Sequence, residues 1–183
     1  AYLSGCDSVK FQKRNPDVCV PEHQKGVMRD TPWGRMTYLD YKYKVEFEKE
    51  EYDEIDSYCR DRDISWSASP WDLDSLNDIP YLKIPSAMLT NDELLIATKN
   101  TGKRVILSTG MSTLEEIDHA VSILKHHGIT DFSDARVDGG NSNFALLHCN
   151  STYPAPLDEL NLSCVKTLKE RYDCEVGYSG HEF

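Results

Sequence analysis

Six short β-type runs recur along the chain, and each except the last is followed by an amphipathic stretch or a loop. They are Ser8 to Gln12, Ile64 to Ser69, Tyr81 to Ile84, Val105 to Ser108, Phe144 to Leu147 and Glu175 to Tyr178. Strands alternating with helices imply a parallel sheet, because parallel neighbours need a crossover connection. The open doubly wound sheet and the eight-stranded barrel are the two solutions. No G-x-G-x-x-G or G-x-x-x-x-G-K-[ST] fingerprint occurs, which disfavours the nucleotide-binding sheet.

The helical readings follow from spacing. Phe47 to Arg62 predicts a helix with Phe47, Ile55 and Tyr58 on its buried face and carboxylates elsewhere. Asn91 to Thr101 and Leu160 to Arg171 predict two more. Ser112, with Glu115 three residues on, predicts a capping box opening a helix striped by Leu114, Ile117, Val121 and Leu124 and ended by Gly128. Residues 71–78 read as a short helix or loop. Residues 13–46 hold Pro16, Pro21, Gly26, Pro32 and Gly34 and read as a long loop with little regular structure.

Polar groups recur where the β-type runs end: Lys10 and Gln12, Ser67 and Ser69, Lys83 and Ser86, Ser108 and Thr109, His148, and Ser179 with His181. In a β/α barrel the C-terminal strand ends face the reaction centre, so six such ends suit a ring around one pocket. A barrel of about 250 residues would exceed this chain by roughly one β/α unit at the start and two at the end.

The 183 residues carry a formal net charge of −11, whose field opposes nucleic acid and anionic membrane surfaces. A small anionic substrate needs only a few local cations. No apolar stretch reaches the roughly 20 residues of a membrane span. The six cysteines form no C-x-x-C pair, so reduced thiols in a cytoplasmic protein are expected.

Lys10 and Lys83 lie at or within strands, where a cation needs an anion. An internal ion pair is the bland alternative; capture of a phosphate or carboxylate by lysine, Ser86, Ser108 and backbone N–H groups is the functional one. Ser108-Thr109-Gly110-Met111-Ser112 places a glycine turn before a helix start, an arrangement suited to anions. His148 alone reads as a satisfied core histidine. His181, beyond the last strand and beside Glu182, reads as a metal ligand or general base. Tyr153 precedes Pro154 and is either packed or in contact with substrate. Trp33, Tyr38, Tyr41 and Tyr43 read as a packed loop, with a lid or subunit contact as the alternative. His23, His119, His126 and His127 read as surface residues.

Seven segments together carry a resemblance: V-K-F-Q (9–12), T-P-W-G-R-M-T-Y (31–38), A-S-P-W (68–71), Y-L-K-I-P-S (81–86), I-L-S-T-G-M (106–111), L-L-H-C-N-S-T-Y-P-A-P (146–156) and G-Y-S-G-H-E (177–182). The chain resembles the sialic acid (N-acetylneuraminate) synthases over nearly its whole length. The resemblance implies a TIM-type (β/α)8 barrel, incomplete here, without its first unit, its last strands and the family's C-terminal antifreeze-like domain; the isolated fragment is then expected to be inactive. It implies condensation of phosphoenolpyruvate with N-acetylmannosamine or a related N-acetylated hexosamine, in a protein whose full form is a homodimer. It also implies a divalent metal, Mn²⁺ or Mg²⁺, with His181 as one ligand. Lys83, Ser86, Ser108 and Ser179 would hold phosphoenolpyruvate, with Ser151 at a phosphate-side position that is Asn in some members. Lys10, Gln12 and Ser69 would be substrate-binding, and Lys83, Tyr153 and His181 catalytic. Some members carry Glu where this chain has Met88. Legionaminic or pseudaminic acid synthesis, a Schiff-base aldolase using Lys83, and a non-catalytic sugar-binding barrel are the alternatives.

Overall fold

The computed structural model describes residues 1–77, 79–125 and 143–182. Two compact units, Ala1–Pro80 and Tyr81–Phe183, are each described by themselves.

In the first unit, β1 (Ser8–Lys13) and β4 (Ser65–Pro70) pair in parallel, with Lys10 opposite Ser67 and Gln12 opposite Ser69. Side chains alternate along a strand, so Lys10, Gln12, Ser67 and Ser69 share one face. Phe11 and Trp66 lie on the other and meet edge to face at 6.3 Å. Tyr52 of α4 (Lys49–Asp61) stacks on Trp66 and donates its hydroxyl to the Gln12 carbonyl at 3.0 Å. The buried face of α4 is therefore set by Tyr52 and Cys59, with Ile55 partly buried. The expected anchors Phe47 and Tyr58 are exposed: Phe47 precedes α4 and sets its ring beside Phe11 and Tyr52, and Tyr58 lies under the Arg62 guanidinium.

Residues 13–46 are regular, against expectation. Two single-turn helices, α1 (Pro16–Cys19) and α2 (Glu22–Lys25), precede an antiparallel hairpin of β2 (Met28–Thr31) and β3 (Gly34–Thr37) and then α3 (Tyr38–Val45). Pro32 and Gly34 punctuate the hairpin turn rather than a loop. Gly34 has φ +102°, a region an L residue avoids. Thr37 caps α3 by accepting from the Asp40 N–H at 3.1 Å. Lys42 and Arg29 lie over the Tyr38 ring and Lys44 over the half-exposed Trp33, so the aromatic stretch is packed against cations.

In the second unit, β5 (Leu82–Ile84), β6 (Val105–Ser108), β7 (Phe144–Cys149) and β8 (Glu175–Ser179) form a parallel sheet in that order. One face is core: Ile84, Leu107, Phe144 and Leu146 pack on Leu95 of α5 (Asp92–Asn100), on Ile117, Val121 and Leu124 of α6 (Leu114–Lys125), and on Leu168 of α7 (Ser163–Arg171). The capping box of α6 is Thr113 with Glu116, one residue on from the Ser112–Glu115 pair expected, so Leu114 turns outward while Ala120 joins the buried stripe. Gly128, His126 and His127 lie outside the described residues. All six cysteines are free, and among the described residues no helix is long and apolar enough to cross a membrane.

Arg171 fastens α7 to α6. Its Nε donates to Asp118 Oδ1 at 2.9 Å, its terminal nitrogen bonds Oδ2, and the Tyr172 hydroxyl donates to Oδ1 at 2.7 Å. The Arg171 bonds first, then the Tyr172 bond, hold the Asp118 carboxyl at about 2. An unfolded aspartate titrates near 3.9. A depressed folded value gives stability that is present above the unfolded value and lost as pH falls through the folded one. In urea titrations the midpoint gap between wild type and Asp118→Asn is therefore expected to hold steady above about pH 5 and to close between about pH 4 and 2. A gap that ignores pH would remove Asp118 from acid stability.

Candidate functional site

The second face of the β5–β8 sheet carries the polar groups. Register places Lys83 beside Ile106 and Ala145, then Ser108 beside Leu147 and Gly177, then Cys149 beside Ser179. All four strands are parallel, so their C-terminal ends form one edge. Lys83 is half-buried one row below that edge. Ser108 is 1% exposed and, among the described residues, its hydroxyl has no hydrogen-bond partner. A buried hydroxyl left unpaired costs roughly 1–3 kcal/mol, a deficit that a bound polar ligand removes.

At the edge three side chains close on one glycine. The Gly110 N–H donates to Ser86 Oγ at 3.0 Å, and Ser86 Oγ lies 3.2 Å from Cys149 Sγ. A Cβ on Gly110 would stand 2.6 Å from Ser151 Oγ and 2.9 Å from both Cys149 Sγ and Ser86 Oγ. Gly110 is thus required by space. At the start of α6, where the sequence suggested an anion site, the Thr113 and Glu116 N–H groups are occupied by their own capping box. Cys149 was not among the expected site residues, and Gly110 was expected only as part of a turn. The register that makes them neighbours is not visible in local sequence.

A second group gathers after β7 and β8. His181 Nδ1 lies 2.6 Å from the Asn150 carbonyl, which can only accept, so Nδ1 carries the proton. In the neutral ring Nε2 then accepts the Tyr153 hydroxyl at 3.0 Å, and the rings stack at 4.0 Å. Tyr153 is 73% exposed, so it is not buried by packing. Its peptide bond to Pro154 is cis. Glu182 takes the Tyr178 hydroxyl at 2.9 Å; its own backbone N–H, then that hydroxyl, hold its carboxyl below the ordinary range. His148 donates Nε2–H to the Leu160 carbonyl at 2.8 Å, the satisfied structural histidine expected.

The expected divalent ion finds an incomplete set. Among the described residues no three His, Cys, Asp or Glu side chains converge. His181 offers one nitrogen, already bonded to Tyr153. These residues alone do not fit a metal centre. Met88 packs against the apolar core.

In the first unit Ser69 is buried and, among the described residues, its hydroxyl has no partner; it shares a face with the exposed Lys10 and Gln12. Gln12 Oε1 accepts from Arg14 at 2.6 Å, and Arg14 Nε lies 2.5 Å from Glu46 Oε1.

Strand-end hydroxyls, a strand lysine and a glycine turn thus lie together along one parallel edge of an α/β scaffold. The sequence model of the NeuB family matches residues 1–183, and the chain belongs to that family. It is 32% identical to the N,N'-diacetyllegionaminic acid synthase of Campylobacter jejuni over 97% of this chain and 52% of that protein. It is 29% identical to the N-acetylneuraminate-9-phosphate synthase of Drosophila melanogaster over 100% of this chain and 48% of that protein. The crystal structure of the N-acetylneuraminic acid (sialic acid) synthetase of Leptospira borgpetersenii, in complex with citrate, superposes with a TM-score of 0.80 at 30% identity, covering 99% of this chain and 56% of that one. The fold class is the TIM-type α/β barrel, represented among the described residues by six strands of its parallel sheet. The chain spans about half the length of the curated relatives it matches.

Proposed function

We propose that the protein carrying this chain is an N-acetylneuraminate synthase, condensing phosphoenolpyruvate with N-acetylmannosamine and water to give sialic acid and phosphate. The observation that carries this reading is the unpartnered, buried Ser108 hydroxyl on the same sheet face as Lys83, one row from the Ser86–Gly110 turn. Phosphate and carboxylate suit both a strand lysine and strand-end hydroxyls. The family membership supports the same class of chemistry.

In this reading Lys83, Ser86, Ser108, Ser151 and Ser179 hold the phosphate and carboxylate. The enol carbon attacks the sugar aldehyde, whose oxygen takes a proton. Water adds to the resulting cationic carbon and gives up its proton, and the tetrahedral intermediate expels phosphate. The cradle stabilises charge on the phosphate throughout. Tyr153 and His181, joined as a hydroxyl–imidazole pair, would move the aldehyde proton. Lys10, Gln12 and Ser69 are assigned to substrate as well.

Phosphate release by the full-length protein, given phosphoenolpyruvate, N-acetylmannosamine and Mn²⁺, with and without chelator, tests the assignment. A nine-carbon keto acid with stoichiometric phosphate is the expected product. Release only with a 2,4-diacetamido sugar would move the acceptor to the legionaminic branch. Pyruvate trapped on Lys83 by borohydride would replace the reading with a Schiff-base aldolase.

A further inference from the structure

The Cys149 thiol has no assigned task, yet it is buried at the end of β7 and meets the hydroxyl of Ser86 at 3.2 Å. A serine hydroxyl has one proton to give and two lone pairs. The Gly110 N–H fills the first lone pair. What Cys149 does decides the rest. With Ser86 donating to sulfur, its only proton points away from any ligand. With the thiol donating to Ser86, both lone pairs are filled and the O–H is left to reach an anion. A thiol can take either role, as a weak donor or a weak acceptor. Sulfur is also large enough to sit within 2.9 Å of the Cβ position of Gly110, beside Ser151 Oγ, so the three groups confine one another.

We infer that Cys149 is a positioning residue: its thiol donates to Ser86 when an anion is bound and so delivers the Ser86 O–H to a phosphate oxygen. This rests on the reading of the edge as a phosphoenolpyruvate site. Cys149 itself touches no ligand. Its loss acts through one hydrogen bond to a charged group, a weakening of roughly tenfold.

Full-length Cys149→Ala and Cys149→Ser variants separate this from packing. Alanine is expected to raise the KM and Kd for phosphoenolpyruvate about tenfold, while kcat and the KM for the sugar stay within about twofold. Serine keeps a donor and an acceptor at the position and is expected to restore most of the affinity, although it repairs the lost sulfur volume no better than a hydroxyl can. The rise in Tm caused by inorganic phosphate follows the same order and reads the site without turnover. Unchanged phosphoenolpyruvate affinity in Cys149→Ala, or a serine variant as weak as alanine, overturns the inference and leaves the synthase reading standing. A wild-type protein that binds neither phosphate nor phosphoenolpyruvate overturns both.

Discussion

Gly110→Ala is expected to cost more function than any other single methyl added to this chain. The new Cβ meets three heteroatoms at 2.6–2.9 Å, each on a short side chain with one rotatable bond. None can retreat without leaving the cradle. Overpacking of this kind costs about 1–3 kcal/mol of stability. The functional loss is larger, because Ser86 moves off the Gly110 N–H and the Ser151 hydroxyl is displaced in the same step. Phosphate release is expected to fall by at least about 100-fold, a little under 3 kcal/mol of transition-state stabilisation. Steady-state kinetics beside a urea melt separates the two effects. A variant with wild-type turnover would show that the cluster lies off the reaction path.

Lys83→Met is expected to abolish phosphate release to a similar or greater degree while leaving the fold intact. Methionine retains most of the stem that crosses the strand between the buried Leu82 and Ile84. Only the charge is removed. If that charge faces phosphate or carboxylate in the transition state, the loss is at least about 100-fold in kcat/KM, with Tm within about 5 °C of wild type. Lys83→Arg keeps the charge but presents a longer planar fork, so partial activity is expected. A methionine variant that melts far earlier, with activity per folded molecule unchanged, would assign Lys83 to an internal ion pair.

The strands were legible because their ends are polar and their interiors apolar. Val105–Ser108 falls on its expected bounds, and β7 extends two residues beyond Leu147, to His148 and Cys149. That extension decided the fate of the site. With the strand ended at Leu147, Cys149 reads as part of a loop; at the end of β7 it becomes the register partner of Ser179. The hairpin at 28–37 was hidden because Pro32 and Gly34 look alike in a turn and in a loop. Tyr52 was hidden among the carboxylates of α4, where helical spacing from Phe47 and Tyr58 gave the wrong face. The convergence of Ser86, Cys149 and Ser151 on Gly110 joins three distant segments, and no local pattern encodes such a meeting.

The bonds around His181 have a mechanical consequence. Its ring holds the Asn150 carbonyl, its carbonyl accepts the Ala155 N–H at 3.1 Å, and Tyr153 closes on its other nitrogen. The segments after β7 and β8 are thereby yoked into one body. Anything that draws the imidazole aside must carry the tyrosine with it, and much of the ordering that a ligand would otherwise impose on these two rings is already complete before it arrives.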